Sequence, residues 1–501
     1  MKTLNLKKLH VWVILIGIIV NLVPVLHTHM WFDEAYSYAL ANHSFASIWD
    51  IDIHDVHPVF YYDCLHVVLL LCGHSVLAAR LFSYVLLCLN GLLGFTHIRK
   101  DYGEKAGLLY SLLVFILPCN VIYGGEMRMY MLAELEVVLC AFYAMRIERK
   151  QAKLTDRIFF VIAAVLGAYT HYYCLLAAAV INLFLLLHWL VRKDGKELLV
   201  WLVTGLIQIG AYLPWLFVLF RQTSAVQQNF WLTWHGIWSV IEIVLFPFTG
   251  NLEKAVYVPL WTGILPLLVI LWNLVSEKHK KEAFLKETHL YTLGTYIMIL
   301  VIAALASLVM HRLILYARYQ LVAIACLILW YALTFSLKEK GKNLIVLIVS
   351  LCLCSGIALV SLCRMNYASS NNAPFAYLEE NIQDGDTILV ANTNHDPNSF
   401  IMASLYPDHP LIYWNEEKWD DESLKAYQAF NDHMEVLSSL DDLSVKGRVW
   451  VIYGDDDQHG TAWDHAYDAV CDQLGAEKEE TKYFHTAYKD IEYTIGLVIA
   501  K

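Results

Sequence analysis

Charge is the scarce quantity in this chain. Only 17% of its 501 residues are Asp, Glu, Lys or Arg, against 58% hydrophobic, a balance that excludes an ordinary soluble enzyme. There is no CxxC pair, and ten of the 11 cysteines lie in or beside apolar segments, leaving Cys471 alone near the C-terminus. A disulfide-stapled exported domain is thereby excluded. No Gly-rich phosphate loop follows any strand-like segment, so nucleotide binding has no support. One further absence is the most informative. No Lys or Arg occurs between Trp31 and Ala79, whereas Trp31 to Asp63 holds six acidic residues (Asp33, Glu34, Asp50, Asp52, Asp55, Asp63) and three histidines (His43, His54, His57). Carboxylates and imidazoles at a membrane surface, without cations to neutralise them, suit proton transfer, a divalent cation or a polar substrate. His54, Asp55 and His57 are the residues whose spacing offers a cation site. A solvated acidic loop is the plainer alternative.

What the chain does have is apolar runs of about 17 to 23 residues, each long enough to cross a bilayer as a helix, recurring over its first 363 positions. The first, Val11 to Met30, follows Lys2, Lys7 and Lys8 and lacks a small-residue cleavage site, which reads as a retained signal anchor. Basic residues cluster at Arg99 to Lys105, Arg146 to Arg157, Arg192 to Lys196, Lys278 to Lys286 and Lys338 to Lys342. The positive-inside rule places these loops and the N-terminus in the cytoplasm of a multi-pass plasma-membrane protein. The acidic loop, the stretches around Glu126 and His171, the segment Arg221 to Lys254 and the stretch around Arg318 are then external. Alternation gives about eleven spans. Val59 to Leu71 reads as a helix along the outer interface, with the next span near Leu81 to Ile98. Ile158 to Leu190 must hold two short spans hinged near His171.

Net charge is −11, but Arg364 to Lys501 carries 26 acidic and 9 basic residues, a balance of −17 that leaves +6 for the rest. An acidic tail on a mildly basic membrane body makes nucleic acid an improbable partner. Asp386 to Ala391, Leu411 to Trp414 and Arg448 to Tyr453 read as buried strands, with Ser423 to Leu440 as helix between them and Gly385 and Gly447 marking turns. The tail is therefore expected to be a soluble α/β domain over residues 366–501, extracytoplasmic and accessory, following a membrane domain over 1–365. The turn at Asp455, Asp456 and Asp457 offers carboxylates to a cation, though a solvated turn explains it as well.

The candidate reactive residues all fall in external connections. Asp33 and Glu34 follow the first span, and His54, Asp55, His57 and Tyr61 come later in the same loop. Glu126, Arg128 and Tyr130 open a span after Gly124 and Gly125, whose pairing permits an unwound entry. His171 sits at another outer turn, and Arg318 with Tyr319 opens a later span. Singly, each arginine is explained by snorkelling to lipid phosphate and the histidine by packing. Together, two arginines and an acidic loop on one membrane side suit a substrate with an anionic phosphate and a hydroxyl to be deprotonated.

WFDEAYSYALA, DVHPVFYY, YGGEMRMYML, YTHYYCLL and ARYQL, in this order and spacing, resemble the family 39 glycosyltransferases. These are membrane-embedded GT-C enzymes that include protein O-mannosyltransferases and aminoarabinose transferases. The resemblance covers roughly residues 10–340. It implies a GT-C-like bundle, a polyprenyl-phosphate sugar as donor and inverting transfer to an extracytoplasmic acceptor hydroxyl on a protein, wall polymer or glycolipid. It implies that Asp33 is the general base; Glu34 next to it is a further catalytic candidate, and Asp55 is the reserve candidate for the base. His57, Tyr61, Glu126, Arg128, Tyr130, His171, Arg318 and Tyr319 are then substrate-binding. The family's D-x-H-P-P motif departs here to Asp55-Val56-His57-Pro58-Val59, with one proline missing. A lipid or glycan transporter is the rival class. Few ionisable residues occupy the span interiors, Glu134 and Glu136 being the main exceptions, and no internal repeat is visible.

Overall fold

The computed structural model describes residues 5–229, 234, 236–252, 256–276, 288–336, 342–391, 397–415, 421–455, 463–478 and 481–500. Outside the described residues lie Lys254, Trp231, the basic loop Lys278 to Lys286, most of Lys338 to Lys342, and Asp456 with Asp457. The chain divides into two compact units: residues 1–25, 56–61 and 80–362, and residues 26–55, 62–79 and 363–501.

The first unit is helical, and the chain is a multi-pass membrane protein. Among the described residues, seven helices are long and apolar enough to cross a bilayer: Leu6–Val25, Val76–Tyr102, Tyr172–Arg192, Gly195–Ser224, Leu290–Met310, Ala317–Ser336 and Lys342–Asn366. Tyr130–Glu148 and Leu154–Thr170 pack among them. The hinge expected near His171 is present: its backbone is extended (φ −159°, ψ 140°) between helices ending at Thr170 and starting at Tyr172. With little hydrophobic driving force between helices in lipid, close approach and polar contacts hold them together. A Cβ at Gly17 or Gly91 would collide with the Phe115 ring. His10 Nε2 and Ser111 Oγ lie 2.8 Å apart, Ser111 Oγ donates to the Gly91 carbonyl (2.6 Å), and Asn21 Nδ2 donates to the Phe115 carbonyl (3.1 Å).

Three of the basic loops meet at one end of this bundle. Arg146 binds Asp101 through both Nε and Nη2 (2.7 and 2.8 Å) and Asp156 through Nη1 (2.8 Å). Arg157 pairs with Glu197 (2.9 Å) and Lys150 with Asp194 (2.6 Å). Segment Arg221 to Lys254, read from sequence as a connection, instead carries an apolar helix at Ile237–Thr249. Its 13 residues span about 20 Å, short of the ~30 Å hydrocarbon core, so the segment lacks the length that marks a crossing in sequence.

The second unit contains the acidic loop and the tail. Three helices form the loop: α1 (Phe32–Ala41), α2 (Phe45–Asp52) and α3 (Phe60–Cys72), whose first two residues count with the other unit. At 13 residues α3 covers about 20 Å, shorter than a crossing. The tail is an α/β domain with one six-stranded sheet: β1 (Thr387–Ala391), β2 (Leu411–Trp414), β3 (Glu435–Leu437), β4 (Gly447–Asp455), β5 (Lys482–Thr486) and β6 (Ile491–Ala500), in the order β3-β2-β1-β4-β6-β5. The first four run parallel; β6 pairs antiparallel with β4 and β5 with β6. The three expected strands appear within a residue or two, with Gly385 (φ 85°) and Gly447 (φ 87°) at their turns.

The helix expected over Ser423 to Leu440 is corrected. Helix Asp421–Ala426 and one 3-10 turn give way to β3. Asn431 is the cause: its Oδ1 accepts the His433 N–H and its Nδ2 donates to the carbonyls of Pro407 and His409, forming a turn that competes with helix. The loop helices lie on this domain's aromatic residues. Phe32 meets Tyr427 and Phe430 (both 5.9 Å), Tyr36 meets Phe430 (6.0 Å), and His43 reaches the Ala429 carbonyl (2.8 Å) and Asp432 (3.2 Å).

Candidate functional site

In the membrane unit the site grows from three helix starts. Helix Tyr130–Glu148 is preceded by a non-helical turn at residues 124–129. A Cβ at Gly124 would come within 2.5 Å of the Asn120 carbonyl oxygen, and one at Gly125 within 2.6 Å of Val25. The glycine pair is thus required for close approach, and φ plays no part in it. The turn delivers Glu126 and Arg128, only 5% and 4% exposed. Arg318, 5% exposed, lies in the 3-10 turn Ala317–Gln320 that opens helix Leu321–Ser336. Its Cζ is 5.6 Å from the ring centres of both Tyr130 and Tyr316, within cation–π range.

His171 is the third start and the meeting point. It is 3% exposed, and its ring lies 5.6 Å from His57, 6.0 Å from Tyr130 and 5.3 Å from Tyr319. Its Nδ1 accepts the Tyr173 backbone N–H (3.1 Å), so the proton of the neutral ring sits on Nε2. Nε2 is buried and meets no hydrogen-bond partner among the described residues. Burial, then the charges of His57, Arg128 and Arg318, hold its pKa well below the ordinary value. His171 is therefore a neutral N–H donor in the field of two guanidinium groups.

His57, Tyr130, His171, Arg318 and Tyr319 thus share one aromatic cluster, with the charge of Arg128 felt there. Tyr61 instead packs on the helix after it, its ring 5.9 Å from Phe82 and its hydroxyl 3.3 Å from Ser83 Oγ. One residue escaped the sequence reading. Arg80 is 2% exposed and donates through Nη1 to the Gly125 carbonyl (3.1 Å), fixing the turn that carries Glu126 and Arg128. An isolated arginine at the head of an apolar run is the signal that would have found it.

In the other unit, Asp33 and Glu34 occupy the first turn of α1. Asp33 is half-buried, whereas Glu34 is fully buried and accepts the Tyr488 hydroxyl on Oε2 (2.7 Å). Asp55 accepts from the Tyr62 hydroxyl at 3.4 Å, a long bond. No group of three or more His, Cys, Asp or Glu side chains able to hold a metal ion occurs among the described residues. The His57 ring lies against His171.

No protein-family model matches this sequence, and no curated protein does. Solved structures do. ArnT from Cupriavidus metallidurans bound to undecaprenyl phosphate superposes with a TM-score of 0.61 at 13% identity, over 97% of each chain. The apo state of the same protein gives 0.53 at 14% identity, again over 97% of each chain. At that identity the likeness establishes the fold alone: an ArnT-like membrane body with a C-terminal α/β domain.

Proposed function

We propose that the chain is a membrane glycosyltransferase that moves a sugar from a polyprenyl-phosphate donor to an extracytoplasmic acceptor hydroxyl, with inversion. The observation that carries this reading is the buried Arg128–Arg318–His171 cluster at the head of helix Tyr130–Glu148. Two cations and a neutral N–H donor in a desolvated setting suit a phosphate leaving group. The far end of the same helix bears Arg146 and its carboxylates, where the basic loops gather, which supports reading the cluster as facing the outer side of the membrane. The undecaprenyl phosphate in the ArnT structure supports a polyprenyl carrier.

The acceptor oxygen attacks the anomeric carbon while Asp33 takes its proton. The carbon–oxygen bond to phosphate breaks, and its electron pair leaves on the polyprenyl phosphate. Arg128 and Arg318 stabilise that charge, bidentately where the fork allows. The Nε2–H of His171 donates to a phosphate or sugar oxygen, with Glu126, Tyr130 and Tyr319 shaping the pocket wall. Residues 1–365 are the transferase body, with a cytoplasmic N-terminus, and residues 366–501 the outer domain. The test is mass spectrometry of surface glycans and polyprenyl-linked sugars with and without the gene product. Loss of one sugar from an acceptor, with its lipid donor accumulating, is expected. Unchanged surface glycans would refute the transferase reading. Donor trapped on the cytoplasmic leaflet would establish a flippase instead.

A further inference from the structure

The C-terminal domain grips the acidic loop with the turn between β5 and β6. In that turn, residues 487–490, Lys489 and Asp490 both have positive φ (60° and 58°). Residues other than glycine hold such a conformation where the surroundings over-determine it, and such places cluster at functional sites. Here the turn is tied on every side. His485 Nε2 lies 2.6 Å from Asp490 Oδ1, the Tyr488 N–H donates to Asn371 Oδ1 (2.9 Å), and Thr486 Oγ1 donates to the Tyr488 carbonyl (3.3 Å). Two side chains leave the turn for the start of α1. Lys489 Nζ sits 4.7 Å from the centre of the Trp31 ring, and the Tyr488 hydroxyl donates to Glu34 Oε2 (2.7 Å). The Tyr488 ring, 5% exposed, is braced 5.0 Å from His27. Asp33 lies in sequence between Trp31 and Glu34, the two residues so held.

We propose that Tyr488, with Lys489 beside it, is a positioning residue for the candidate base: the turn clamps the first turn of α1 on both sides of Asp33 and fixes the direction of its carboxylate. The proposal rests on the reading of Asp33 as base. A buried carboxylate must be satisfied, and a tyrosine hydroxyl that donates keeps Glu34 an acceptor in one rotamer. The clamp makes the outer domain part of the catalytic apparatus rather than a cover.

The test uses the full-length chain reconstituted in lipid, with polyprenyl-linked sugars extracted from the native membrane as donor probe. Tyr488→Phe keeps the ring and removes only the donor, so kcat is expected to fall about 10-fold with donor KM unchanged. Combined with Glu34→Met it should be no slower than Glu34→Met alone, because the two groups act as one unit. Should Tyr488→Phe accumulate poorly, Lys489→Ala releases the Trp31 side, and the same fall in kcat at constant KM is expected. Wild-type kcat in either well-folded variant, or rate losses that multiply in the double variant, overturns the clamp. Asp33→Asn separates the two ideas: if it is inactive while Tyr488→Phe is normal, only the clamp falls, whereas a fully active Asp33→Asn removes the base assignment itself.

Discussion

Replacing Arg318 tests the phosphate reading most directly. Its guanidinium is 5% exposed and faces Tyr130 and Tyr316 at 5.6 Å each, contacts worth about 0.5–2 kcal/mol apiece when desolvated. Those contacts orient the planar fork; the catalytic gain lies in charge that appears only as the phosphate leaves. A unit charge about 4 Å away contributes roughly 4 kcal/mol at an effective dielectric near 20. A charge-assisted hydrogen bond contributes about 1.5–3 kcal/mol net of solvation. Arg318→Ala should therefore lower kcat/KM by about 10² to 10³-fold. Arg318→Lys keeps the charge but loses fork and stacking, and about a tenfold loss is expected of it. The assay is turnover of lipid-linked sugar by reconstituted protein, paired with the rise in thermal midpoint on adding undecaprenyl phosphate. That rise should shrink in the order wild type, Lys, Ala. If both variants turn over normally and keep the full lipid-induced rise, Arg318 is a snorkelling or packing residue and the phosphate cluster is misread.

Three further outcomes are expected. Asp33→Asn, isosteric and uncharged, should lose about 10² to 10⁴-fold in turnover while retaining the lipid-induced thermal shift; normal turnover transfers the role to Asp55. In the tail, burial works to raise the Asp386 pKa, but the Gln383 N–H, the Trp450 indole and the Arg448 guanidinium outweigh it and lower it. Its contribution to stability is thus complete above the unfolded carboxylate value near ~3.9 and is lost as pH falls through the lower folded value. Asp386→Asn should destabilise the tail by about 2–3 kcal/mol at neutral pH and flatten that acid dependence, read by limited proteolysis of the full chain; an unchanged acid limb counts against it. A reporter fused after Lys501 should be active as alkaline phosphatase, and fluorescence of a cytoplasm-only reporter there would mean that a span has been miscounted.

The legible part of the fold is the part written in local periodicity. Long apolar runs gave the spans, and His171 between two of them marked the hinge that the backbone confirms with its extended φ and ψ. Buried strands β1, β2 and β4 read as unbroken apolar runs, with glycine opening two of them. The illegible elements lack those marks. Three-residue β3 sits at the sheet edge, and β5 alternates weakly, with exposed and part-buried residues before Thr486. The β5–β6 turn reads Ala-Tyr-Lys-Asp, without the Asn-Gly or Asp-Gly pair that announces a hairpin. Its left-handed residues are held by tertiary contacts, which no local propensity records.

Site residues divide the same way. Arginines, carboxylates and the lone histidine were visible as chemistry out of place in an apolar chain, because transferring such groups from water is costly unless something repays it. Their partners were not visible. Arg80 finds the Gly125 carbonyl across 45 positions, and Tyr488 finds Glu34 across 454. A pairing at that separation leaves no periodic trace, and the same Glu34 would look identical in sequence whether solvated or clamped. The meeting of His57 with His171, far along the chain, was equally invisible in the sequence. In a membrane body, where apolar contacts discriminate poorly between helices, these distant polar pairings decide which charges act together. Function therefore turns on the pairings, and residue type alone narrows it only to a class of chemistry.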